Sequence, residues 1–96
     1  MPKLLNDDAR AQALHGLPEW ALASDSKSIA REFKFKDFVE AFGFMTQVAI
    51  RAQVMDHHPD WSNGYNRVSI TLSTHDAGGL TDNDIALAQQ IDAIVA

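Results

Sequence analysis

The spacing of apolar and polar positions changes several times along the chain, and each change predicts an element. Residues 6 to 15 predict a short helix. Asn6 or Asp7 can cap it, and acidic residues fill its first turn, where the helix dipole favours them. Gly16 and Pro18 then end it. Trp20-Ala21-Leu22-Ala23 alternates weakly, and Ser24-Asp25-Ser26-Lys27 has the short polar side chains of a turn. Beyond it Ile29, Arg31, Phe33 and Phe35 fall on one face of an extended segment, with Ala30, Glu32 and Lys34 on the other. Two strands around a tight turn predict a hairpin.

From residue 36 to residue 55 the period lengthens. Phe38, Phe42, Met45, Ala49 and Ala52 step by four and three, the stripe of an amphipathic helix with that face in the core. Gly43 inside the helix costs about 1 kcal/mol relative to alanine, so a close backbone contact is expected there. Pro59 forbids continuation of the helix and pushes His58 toward extended geometry. Asp60 to Asn66 reads as a loop whose sharpest turn signal is Asn63-Gly64. Arg67 to His75 is the clearest strand. Val68, Ile70, Leu72 and Thr74 take one face, and Arg67, Ser69, Thr71, Ser73 and His75 the other. Gly78-Gly79 breaks it. Thr81 to Asp84 then opens the last helix as a Thr-x-x-Asp variant of the capping box, with Ile85, Ala88, Ile91 and Val95 as its buried stripe. Helices gathered on one face of an antiparallel sheet make an α+β fold, here one domain spanning residues 1–96.

Composition narrows the function. The net charge is −5 with no run of lysine or arginine, so neither a phosphate backbone nor an anionic membrane is an expected partner. There is no cysteine, which excludes disulfides, thiolate ligands and cysteine nucleophiles and fits a cytoplasmic location. No apolar run approaches the ~20 residues of a membrane helix. The opening MPKLLNDDAR does not read as a secretory signal.

Candidate chemistry lies in MDHHPDW, where His57 and His58 adjoin, and in SITLSTHD, which ends near His75. If the strand runs beside the helix end, three imidazoles share one pocket. Histidine titrates nearest neutrality, so such a cluster suits proton transfer with one ring donating while another accepts. Residue pattern alone leaves two other readings open. The rings can be helix caps or surface residues, or they can bind metal together with Asp76. Adjacent histidines seldom face one ion, and no helical His-x-x-x-His pair exists. Asp84 is explained equally by the pocket or by its place in the cap. Trp20 and Trp61 fit either the core or a flat ligand. His15 has no partner in sequence and reads as a surface residue.

Taken together, His57-His58-Pro59, Trp61, Tyr65-Asn66, Thr74-His75, Gly79-Leu80-Thr81 and Asp84 resemble the ordered motif of the pterin-4a-carbinolamine dehydratases. Phe35-Lys36-Asp37-Phe38, Ala41 to Met45 and Trp20 extend the likeness over roughly residues 17 to 95. The resemblance implies a four-stranded antiparallel sheet with three helices on one face, and association of copies into dimers or tetramers. It implies dehydration of 4a-hydroxytetrahydropterin to quinonoid dihydropterin, serving aromatic amino-acid hydroxylases, without metal or cofactor. His57, His58 and His75 would be the catalytic set. Asp56, Pro59, Ser73 and Thr74 would shape the substrate pocket, Asp84 would orient a histidine, and Trp20 or Trp61 would touch the pterin. Many relatives carry glutamate where this chain has Gln53. Animal members of the family also act as dimerisation cofactors of a homeodomain transcription factor through a helical surface. Here the outward face of the long helix, with Glu40, Gln47, Arg51 and Asp56, reads as polar and without an anchor patch.

Overall fold

The computed structural model describes residues 2–96. Its elements run α1 (Asp7–His15), β1 (Ala21–Leu22), β2 (Ile29–Lys34), α2 (Phe38–Met55), β3 (Asp60–Gly64), β4 (Arg67–Leu72), a 3₁₀ turn (His75–Ala77) and α3 (Asp82–Val95). The four strands form one antiparallel sheet in the order β1-β2-β4-β3. The α+β architecture, with three helices packed on one face of the sheet, is the one expected.

Strand alternation does the sorting. On the inner face Ile29 pairs with Leu72, Arg31 with Ile70 and Phe33 with Val68, and every apolar member of these pairs is buried. The outer face carries Glu32 opposite Ser69 and Lys34 opposite Arg67. α3 begins with the predicted capping box, Thr81 accepting from Asn83 N–H and Asp84 reaching back to Thr81 N–H. It buries Ile85, Leu87, Ala88 and Ile91, whereas Val95 is exposed.

The structure corrects several expectations. Asp60 to Gly64 is the fourth strand, pairing with β4 from Asp60↔Thr71 to Gly64↔Arg67. As an edge strand with one large apolar residue, Trp61, it has little hydrophobic signature. The hairpin turn falls on Tyr65-Asn66, with Tyr65 at φ 50°, while the Asn63 amide donates to the carbonyls of Tyr65 and Arg67. β4 ends at Leu72, so His75 lies in the 3₁₀ turn beyond the strand.

The long helix is rotated from the predicted stripe. Ala41, Phe44, Val48 and Ala52 are buried, while Phe38 and Phe42 stand 48% and 55% exposed. The outward face is not polar, since Val39, Ile50 and Val54 are also exposed on it. Apolar residues surround α2, so more than one stripe satisfies the helical period, and only packing selects among them. Gly43 is exposed, and a Cβ added there would meet nothing within 4 Å, so the expected close contact does not occur within the chain.

Candidate active site

α2 ends at Met55, where the helical period was expected to stop, and Asp56 caps it. Asp56 adopts the left-handed conformation (φ 52°, ψ 42°), its N–H bonds the Gln53 carbonyl, and His57 N–H bonds the Ala52 carbonyl at 3.0 Å. This crossed pair is a Schellman cap. Glycine is the usual residue at such a position, and an aspartate there carries some backbone strain. The cap turns the chain so that His57 faces the start of α3.

There His57 meets Asp84. Its Nε2 lies 2.6 Å from Asp84 Oδ1, and the Asp84 side chain is fully buried. The other oxygen, Oδ2, accepts from Thr74 Oγ1 at 2.7 Å and from Thr81 N–H at 2.9 Å. A hydroxyl has one proton. With that of Thr74 given to Asp84, the 2.7 Å contact between Thr74 and Thr81 is donated by Thr81. The result is a directed relay from Thr81 through Thr74 to Asp84. An ionised carboxylate oxygen only accepts, so against it His57 Nε2 is the donor of this bond. One residue thus both caps α3 and holds a histidine, although Asp84 itself is fully buried and lines no part of the cleft.

His58 turns the other way. It is exposed, and its Nε2 lies 2.9 Å from Gln53 Oε1, one helical turn back on α2. His57, His58 and His75 line one cleft of about 250 Å³, together with Asp56, Ser73 and Asp76. Ser73 is anchored by donating to the Lys27 carbonyl at 2.9 Å. Among the described residues no group of three His, Asp or Glu side chains is arranged to hold a metal ion.

The remaining candidates lie elsewhere. Trp20 is 5% exposed and donates its indole N–H to Asp92 Oδ1 at 2.8 Å, which commits it to the core and away from the cleft. Trp61 is half-buried on β3, opposite Ile70, and packs against the core. Pro59 is half-buried and lines no part of the histidine cleft. Asp76, weighed in the sequence only as a metal ligand, lines the cleft beside His75.

Comparison with known proteins identifies the scaffold. Residues 3–94 match the sequence profile of the family described as "Pterin 4 alpha carbinolamine dehydratase". The chain belongs to this family. It is 57% identical over 95 residues to a Rhodospirillum rubrum protein named "Putative pterin-4-alpha-carbinolamine dehydratase", covering 99% of each chain. A Burkholderia ambifaria protein of the same name is 58% identical over 92 residues, covering 96% of this chain and 90% of its own. Among solved structures, a transcriptional coactivator/pterin dehydratase from Brucella melitensis superposes with a TM-score of 0.91 at 46% identity, over 96% of this chain and 98% of that one. A pterin dehydratase-like RuBisCO assembly factor of the alpha-carboxysome matches at TM-score 0.69 and 22% identity, over 81% of this chain and 90% of its own, and shares the fold alone. The cleft therefore sits on a pterin dehydratase scaffold, with the ordered histidine motif at its rim.

Proposed function

We propose that this chain dehydrates a pterin-4a-carbinolamine to quinonoid dihydropterin and so returns oxidised pterin to an aromatic amino-acid hydroxylase cycle. The observation that carries the reading is the 2.6 Å bond between His57 and the buried Asp84, at the rim of a cleft shared with His58 and His75. Loss of water from C4a requires a proton on the departing hydroxyl and removal of one from N5. His57, held by Asp84 through Nε2 and carrying a second proton on its other ring nitrogen, or His75 on the same wall, gives a proton to the departing hydroxyl. His58 takes the ring proton or holds the ring. Donor and acceptor imidazoles in one pocket suit this exchange at neutral pH. Asp56, Ser73 and Thr74 shape the pocket, and Asp76 adds a second carboxylate at its edge.

A coupled assay tests the reading. A pterin-dependent hydroxylase generates the carbinolamine, and ultraviolet absorbance follows its decay. Addition of the protein is expected to speed the decay, and His57→Ala or His75→Ala to slow turnover by about 10²-fold or more, the scale of acid–base catalysis. Unchanged rates in both variants would sink the assignment.

The outward face of α2 favours a second element of this reading, self-association. Val39 is 78% and Val54 82% exposed on a helix whose other face already fills the core. A second copy of the chain is the proposed cover, in keeping with the oligomers of the family. Sedimentation is expected to show a species larger than the monomer, and Ile50→Lys to dissociate it. A wild-type monomer at micromolar concentration contradicts this.

A further inference from the structure

Thr81 is the hydroxyl of the relay that lies behind the cleft rather than on it. It is fully buried and lines no part of the histidine cleft, whereas Thr74 does. Its place before α3 makes it a helix cap, and it does accept from Asn83 N–H. That bond is 3.3 Å long, while the contact with Thr74 Oγ1 is 2.7 Å. The first is longer than an ordinary N–H···O bond, and the second is at the optimum for two hydroxyls. The cap is therefore the weaker of the two uses of this side chain.

A hydroxyl can serve both. An aspartate caps a helix equally well, but an ionised carboxylate has no proton to give, and valine fills the same space with neither function. The backbone of Thr74 is already fixed. Its N–H donates to the Gly79 carbonyl at 2.8 Å, and its own carbonyl accepts from Ala77 and Gly78 N–H, each at 3.1 Å. What the backbone leaves free is rotation of the side chain about χ1 and of the hydroxyl proton. Donation from Thr81 stops both, because it holds Oγ1 and takes the direction in which Thr74 would otherwise donate. The Thr74 proton is left for Asp84 Oδ2, 2.7 Å away. Thr81 reaches the same oxygen a second time, through its N–H at 2.9 Å. With Oδ2 held twice the carboxylate does not turn, and Oδ1 stays on His57 Nε2.

We infer that Thr81 is a positioning residue for the reaction, its hydroxyl setting the direction of the bonds that keep Asp84 against His57. It touches no substrate and acts through Thr74. Its effect on turnover rests on the dehydratase reading, whereas the direction of the bonds does not.

Neutron diffraction from crystals of the perdeuterated wild-type protein locates the two hydroxyl hydrogens. That of Thr81 is expected on the line to Thr74, and that of Thr74 on the line to Asp84. A Thr74 hydrogen aimed at Thr81 overturns the inference, including where the variants fail to fold. In the coupled assay Thr81→Val is expected to lower kcat about fivefold, the scale of one lost hydrogen bond, with KM within about twofold. Thr81→Ser keeps the hydroxyl and is expected to bring kcat back to within about twofold of the wild type. On a Thr74→Val background, adding Thr81→Val is expected to lower kcat no further, because residues that act through one another are not additive. Asp37→Ala removes the side-chain cap at the far end of α2 and controls for lost stability. Its unfolding midpoint is expected to fall while kcat stays within about twofold. Unchanged kcat in Thr81→Val, a loss in Thr81→Ser as large as in Thr81→Val, or a further loss on the Thr74→Val background overturns the inference. No turnover by the wild type overturns the dehydratase reading, and the hydrogen positions then decide the direction of the bonds by themselves.

Discussion

Two aspartates near opposite ends of α3 perform similar geometry to different ends. Asp84 accepts from His57, Thr74 and the Thr81 backbone with its side chain fully buried. Asp92 accepts from Arg31 at 2.7 Å and from Trp20 at 2.8 Å with its side chain 26% exposed. Arg31 in turn lies over the Phe33 ring, 4.5 Å from its centroid. The partners make the difference. A guanidinium keeps its protons at any ordinary pH, so the Asp92 cluster is a fixed clamp between α3, β2 and the Trp20 segment. An imidazole can gain or lose one near neutrality, so the Asp84 cluster can take part in chemistry. Burial with a labile partner separates a candidate site from a structural brace on the same helix.

The sharpest way to break this comparison is Asp84→Ala. It leaves the His57 ring, the Thr74 hydroxyl and the Thr81 N–H without their acceptor. Dehydratase kcat/KM is expected to fall about 10²-fold. Denaturant unfolding is expected to show a loss of about 3 kcal/mol, the cost of stranding buried polar groups. Full activity in this variant removes Asp84 from the mechanism.

Asp92→Ala is the counterpart. Stability is expected to drop by about 2 kcal/mol as a charge-assisted bond and the indole bond are lost, while kcat/KM stays within about twofold in protein that remains folded. A large loss of kcat with stability unchanged would erase the distinction drawn between the two clusters.

The smallest effect is expected from Gln53→Glu. It puts a second carboxylate against a ring, this time the exposed His58. A carboxylate stabilises the imidazolium, so deprotonation of His58 then needs a higher pH, and the pH–rate profile is expected to move up by less than about one unit. An unmoved profile would show that His58 protonation does not limit turnover.

Much of this molecule was legible in sequence because local rules and tertiary demands coincide. β4 reads correctly as far as Leu72 because each alternate residue is buried on one face, and α3 starts where it was expected because Thr81 and Asp84 satisfy N–H groups at its start wherever the helix is docked. β3 was illegible because its pairing energy comes from the backbone of β4, and a polar segment gives no periodic sign of that. Trp20 was ambiguous because an indole serves a core or a ligand equally well until its N–H is seen on Asp92.

Composition and periodicity alone determine an α+β domain, its capped last helix and its central strand, and the ordered motif around His57, His58 and His75 determines the family. Three matters depended on the tertiary structure: which face of α2 enters the core, that Asp84 reaches His57, and that His75 shares a cleft with His57 and His58. Each is a contact between segments distant in the chain. Apolar periodicity specifies that a residue is buried, while the identity of its neighbour is set by how the elements pack.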